Sequence, residues 1–133
     1  MADATKTRTI TLTNRPPVKI RPEEWTGIAH GWDVVDSQGG TPLPSYEQAR
    51  WDLRVRKHED GRAIVYGVAS APAPGWDSHG ASDWRGGELL DAGNSTQALV
   101  GAIQRVGAAL VEDGGAPKSI VAECIASLPA EEI

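Results

Sequence analysis

Apolar and polar positions in this chain switch between two periods, and the switches outline its elements. Over Thr7–Thr13, Arg8, Ile10 and Leu12 fall on one side and four threonines on the other. Period two with β-branched residues predicts a strand. Pro16 and Pro17 end it, because neither ring can donate to a ladder. Val18 and Ile20 allow a short extended piece. Pro22 suits the first position of a helix, and Glu23 and Glu24 suit its positive end. Trp25, Ile28, Ala29 and Trp32 then recur at helical spacing, with Gly31 as a stop, so a short N-terminal helix is expected here.

The clearest element is a hairpin over residues 50–70. Trp51, Leu53 and Val55 alternate with Asp52, Arg54 and Arg56, and Ile64, Tyr66 and Val68 alternate with Ala63, Val65 and Gly67. Between them lies His58-Glu59-Asp60-Gly61, and Asp-Gly favours a tight turn. A two-residue turn pairs Val55 with Tyr66, and a four-residue turn pairs it with Ile64. Either leaves Leu53, Val55, Ile64, Tyr66 and Val68 on the core face and Arg54, Arg56 and Val65 on the other; a three-residue loop would not. Glu88–Ala92 reads as a third short strand. Asn94 caps a helix, with Gln97 three residues on and Leu99, Ala102, Ile103, Val106, Ala109 and Leu110 along one face. Gly101 and Gly107 weaken it unless they permit close packing. Gly114-Gly115 ends it. Pro117 opens a last helix with Ile120, Val121, Cys124, Ile125 and Leu128 inward, stopped by Pro129. The expectation is an α+β domain: a small antiparallel sheet of three to four strands packed by two C-terminal helices.

Length and composition bound this picture. The chain of 133 residues fits a single domain with flexible ends at 1–6 and 129–133. Residues 36–45 and 71–87 read as loops rich in Gly, Pro and Ser. The second is long for a structureless connection and carries Trp76 and Trp84, so it is either packed and functional or mobile. No apolar run approaches the roughly 18 residues of a membrane span. No signal-peptide core opens the chain, and a cytoplasmic protein is expected.

Charge is unevenly placed. The net −5 resides in residues 88–133, whereas residues 1–87 balance and begin with a basic stretch of Lys6, Arg8, Arg15, Lys19 and Arg21. Two solvated faces explain this, as does a polarised surface for a charged partner.

Candidate chemistry is sparse. His30, His58 and His79 show no zinc spacing, and no phosphate-loop or nucleophile-elbow motif occurs, so no metal or cofactor is called for. Cys124 lies on an apolar helix stripe and reads as a small core hydrophobe. Trp25, Trp32 and Trp51 fit core positions. Trp76 and Trp84 sit on no periodic element: they either pack the loop down or anchor an interface, as Trp and Arg often do. The binding candidates are therefore Arg54, Arg56 and Arg62 on the hairpin with Trp76, Trp84 and Arg85 in the loop.

The segments ITLTNRPPVKI (10–20), PEEW (22–25), RVRKHEDGRAIVYG (54–67) and AECIASLPAEE (122–132) resemble small proteins encoded by plasmids and phages of proteobacteria. The resemblance implies an accessory protein of a mobile element, and inhibitors of host defence, anti-CRISPR proteins among them, are frequent in that class. The favoured expectation is a non-enzymatic protein-binding inhibitor whose acidic end steers it toward a basic, nucleic-acid-binding partner. A nucleic-acid-binding module on the hairpin arginines is the second reading, and an enzyme built on residues 77–83 (Asp77, Ser78, His79, Ser82, Asp83) is the third. Homodimerisation through a sheet edge or the Trp loop is open.

Overall fold

A computed structural model describes residues 6–13, 15–44, 47–71 and 82–130. Most of the two expected flexible ends, part of both expected loops, Trp76 and the Asp77–His79 cluster lie outside the described residues. The protein is α+β, and its described residues form three layers. The centre is a four-stranded antiparallel sheet in the order β3 (Trp25–Val35), β6 (Ala49–His58), β7 (Ala63–Ala71), β8 (Ser82–Leu90). Helices α1 (Thr96–Gly114) and α2 (Ser119–Ala126) cover one face. A small hairpin of β1 (Arg8–Ile10) and β2 (Val18–Ile20) covers part of the other. Two-residue strands β4 (Ser37–Gln38) and β5 (Thr41–Pro42) turn through Gly39 and Gly40, both at positive φ, within the expected loop 36–45.

The expected N-terminal helix is not formed. Its start signals yield one 3₁₀ turn, Pro22–Glu24, closed by the Trp25 N–H to the Pro22 carbonyl. The chain then becomes the longest strand, β3. The helical spacing of its apolar residues comes from a β-bulge. Pairing passes from Gly27↔Arg56 to Ala29↔Val55, so Ile28 is the extra residue and the facing switches there. Trp25 and Trp32, seven apart, thereby share a face, as they would on a helix. Ten residues of pairing to β6 outweigh a weak local helical preference that Gly27 and Gly31 already lower.

The β6–β7 register also differs from both expected ones. Val55 faces Val65 and Leu53 faces Gly67. The tip is a three-residue loop, Glu59-Asp60-Gly61, closed by the His58 N–H to the Arg62 carbonyl at 2.9 Å. Gly61 takes φ 100, which suits glycine at this place in a three-residue hairpin loop. Asp60 Oδ1 accepts from the Arg62 N–H at 2.9 Å and Asn94 Nδ2 donates to the Gly61 carbonyl at 2.8 Å, so the tip is anchored from outside the turn. The core assignment changes accordingly. Val65, expected outside, is buried under the helices, and Ile64 and Tyr66 face the β1–β2 layer. Strand β7 is buried on both faces, so its apolar run carries no usable alternation.

The main core joins Trp51, Leu53, Val55, Val65 and Ala69 to Leu99, Ile103, Val106 and Leu110 of α1 and to Ile120 and Cys124 of α2. Trp51 Nε1 donates to the Gly114 carbonyl at 2.8 Å, which satisfies a buried polar atom at the end of α1. The cap of α1 is Ser95, whose side chain accepts from the Ala98 N–H; the expected cap, Asn94, instead holds the hairpin tip. Gly115 closes the helix at φ 75. Burial pushes the Cys124 thiol up to about 11, as a core cysteine requires. A smaller second core joins Ile10, Leu12 and Ile20 to Trp25, Ile64 and Tyr66. The strand expected at Glu88–Ala92 begins earlier, so β8 occupies the C-terminal part of the expected loop 71–87.

Close approach of α2 to the sheet depends on Gly31. A Cβ there would run into the Ile120 carbonyl oxygen and lie 2.9 Å from the Cys124 nitrogen, both backbone atoms. Gly31→Ala is expected to destabilise the fold by about 1–3 kcal/mol through overpacking. Gly27→Ala, with nothing within 4 Å, should stay within about 0.5 kcal/mol. Urea denaturation of both variants measures the difference.

Candidate functional site

The β1–β2 layer roofs only part of the sheet face turned away from the helices. Beyond Ile64 and Tyr66 the face lies open, and alternation decides what it shows. After the bulge β3 presents His30, Trp32 and Val34; β6 presents Arg50, Asp52 and Arg54; β7 and β8 add Val68 and Arg85. Trp32 is 45% exposed, contrary to the core position expected for it.

These side chains are tied together around Asp52. Its Oδ1 accepts from His30 Nε2 at 2.8 Å and its Oδ2 from Arg50 Nε at 2.9 Å. Arg54 Nη2 approaches Oδ1 at 3.4 Å. Burial alone would push the Asp52 carboxyl up, but the Arg50 and His30 hydrogen bonds and the charges of Arg50 and Arg54 together hold it below the usual carboxylate range. Arg50 lies over the Trp32 ring at 5.3 Å, and the His30 ring stacks beside Trp32 at 6.4 Å with 23° between planes. The indole is thus held between a cation and an imidazole, both fixed by one carboxylate. The strand beneath is pinned as well. Ser127, just past α2, accepts from the His30 N–H at 2.9 Å through its hydroxyl, and Asp33 Oδ1 accepts from the Val34 N–H at 2.9 Å. Both contacts block the outer edge of β3.

The residues singled out from sequence are dispersed. Arg54 and Arg85 reach the open face. Arg56 shares its side but serves the fold: Nε donates to the Tyr66 hydroxyl at 3.0 Å and Nη1 to the Trp25 carbonyl at 3.1 Å. Arg62 stays at the hairpin tip, paired with Asp60 at 2.9 Å and lying over the Trp25 ring at 5.1 Å. Trp84 turns to the helix side and packs against the main core. Trp76 lies outside the described residues. Sequence reasoning missed Trp32, His30, Asp52 and Arg50, because a helix over 25–31 hides their shared face. The β-branched Val34-Val35 pair was the local hint of a strand.

The layers also differ in charge. The roofing hairpin and open face expose Arg8, Lys19, Arg50 and Arg85, and the helical layer exposes Glu112, Asp113 and Glu123 beside Arg105 and Lys118. Among the described residues, no helix is long and apolar enough to cross a membrane, and no three His, Cys, Asp or Glu side chains group as metal ligands would. No protein-family model, curated protein or solved structure matches the chain.

The Asp52 cluster makes stability depend on pH. A carboxyl held low in the folded state adds stability above its unfolded pKa of about 4 and loses it as pH falls through the lower folded value. Asp52→Asn should therefore lower the melting temperature at pH 7 and narrow its gap to wild type as the pH falls below 4. Thermal melts across pH 2–7 read this out.

Proposed function

We propose that this protein acts by occupancy: a non-enzymatic binding protein that seats a protein partner on the open half of its sheet. The observation that carries the reading is Trp32, a large apolar side chain exposed on an ordered sheet and braced by Arg50 and His30. A rigid Trp flanked by arginines matches the make-up of interface hot spots. Asp52 and His30 on this face bond to each other, and the groups left for contact among the described side chains are the indole and the guanidinium forks. Such a face suits an acidic patch on the partner, in place of the basic partner expected from the acidic C-terminal third. The resemblance to mobile-element proteins supports an accessory role, with a host-defence complex as the class of target.

A nucleic-acid reading has one observation in its favour, because an exposed Trp beside arginines on a sheet also suits stacking of single-stranded bases.

The test is affinity capture from host cells with three variants. Wild type and Arg62→Ala, altered at the hairpin tip, should recover the same partner. Trp32→Ala and Arg54→Glu should each weaken it about tenfold or more, as expected for a hot-spot loss. Equal recovery by Trp32→Ala would sink the proposal. Binding of single-stranded oligonucleotide that falls steeply with salt would replace it with the nucleic-acid reading.

A further inference from the structure

Among the described side chains of the Trp32 face, His30 is the one of a type that changes charge between pH 5 and 8. Arg54 and Arg85 keep their charge throughout that window. The hydrogen bond to Asp52 and that carboxylate's charge hold the Arg50 guanidinium above its ordinary value. Against its own burial, Asp52 is held below the usual carboxylate range by the Arg50 and His30 hydrogen bonds and the charges of Arg50 and Arg54. A change of pH in this window therefore acts on the face through His30.

The hydrogen bond to Asp52 decides where the added proton goes. His30 Nε2 lies 2.8 Å from Asp52 Oδ1, and an ionised carboxylate only accepts, so Nε2 carries the hydrogen of the neutral ring. A second proton enters at Nδ1, away from Asp52. It adds a positive charge next to the indole, because the two rings stack at 6.4 Å with 23° between planes. The His30 side chain is 31% exposed, so that charge meets what docks on Trp32. Strand β6 brings one carboxylate, Asp52, and two guanidiniums, Arg50 and Arg54, to this place. From α2, Cys124 lies under Gly31 on the other face of β3 and stays a neutral thiol, and Glu123 is exposed; Ser127, just past the helix, holds the His30 N–H through its hydroxyl. Glu23 and Glu24 of the 3₁₀ turn stand at the far end of β3, where Glu24 lies 3.9 Å from His58.

We infer that docking on the Trp32 face is regulated by proton uptake at His30: the imidazolium places a second cation beside the indole and tightens the hold on an acidic patch. The inference rests on the docking reading of this face. Its sign is fixed by charge. Acidification strengthens binding of an acidic partner, and by reciprocity a docked acidic partner draws the proton onto His30.

Two measurements on the whole chain test it. In NMR spectra followed from pH 8 to pH 5, the Trp32 indole N–H and the His30 ring should shift with one shared midpoint. His30→Gln, whose side-chain amide can still donate to Asp52, should abolish the indole shift, whereas His58→Gln and His79→Gln should keep it. The second measurement titrates hexa-aspartate, as an acidic probe, at constant ionic strength. Wild type should bind it about fivefold or more tighter at pH 5.5 than at pH 7.5, the low end of ordinary coupling between two sites, and His30→Gln should bind it equally at both. An indole resonance that ignores the His30 midpoint overturns the inference, as does a pH dependence of binding that survives in His30→Gln. Equal binding by wild type at both pH values overturns it too and leaves the docking reading in place. Failure of the probe to bind at either pH counts against the acidic-partner reading itself and takes the inference with it. Thermal melts at both pH values verify that each variant is folded.

Discussion

The register of the β6–β7 hairpin is the constraint on which the other layers depend. A three-residue tip with Gly61 in the left-handed region sets Val55 opposite Val65. That pairing sends Leu53, Val55, Val65 and Ala69 toward the helices and Ile64 and Tyr66 toward the β1–β2 roof. A slip of one residue would exchange the two sets on β7, because side chains alternate with period two. Ile64 and Tyr66 would then collide with a helical layer that now meets small residues, Gly67 and Ala69. The tip is accordingly tied down from several directions, by Asp60, Arg62 and Asn94.

The bulge in β3 is the second decision, and it makes the surface. Before Ile28 the strand sends Trp25 under the roof; after it, Ala29 and Gly31 go under α2 while His30 and Trp32 go to the open face. Without the extra residue, His30 and Trp32 would point at the helices and Gly31 would leave them. The close seat of α2 on Gly31 and the exposure of Trp32 are two results of one inserted position. Asp52 then organises what the bulge delivers, holding Arg50 and His30 on either side of the indole. The layering also places the basic N-terminal hairpin on one face of the sheet and a helical layer of mixed charge on the other.

The sequence by itself determined the class of fold. The two C-terminal helices, their inner faces and the glycine stop of α1 were legible because a 3.6-residue period over a long segment has no competing reading. The β1 and β2 segments and the existence of the central hairpin were legible for the same reason with period two, and so was the place of Arg54 on the outer side. Tertiary structure decided the rest. The helical spacing at Trp25–Trp32 is what a bulged strand also produces, and only the long pairing with β6 chooses between them. Strand β7 is apolar on both sides, so its pattern holds no parity and the register fell to turn geometry and to contacts from Asn94, far along the chain. The candidate surface is built from residues on β3, β6 and β8 that become neighbours only when strands pair, and no spacing within a single segment encodes that neighbourhood.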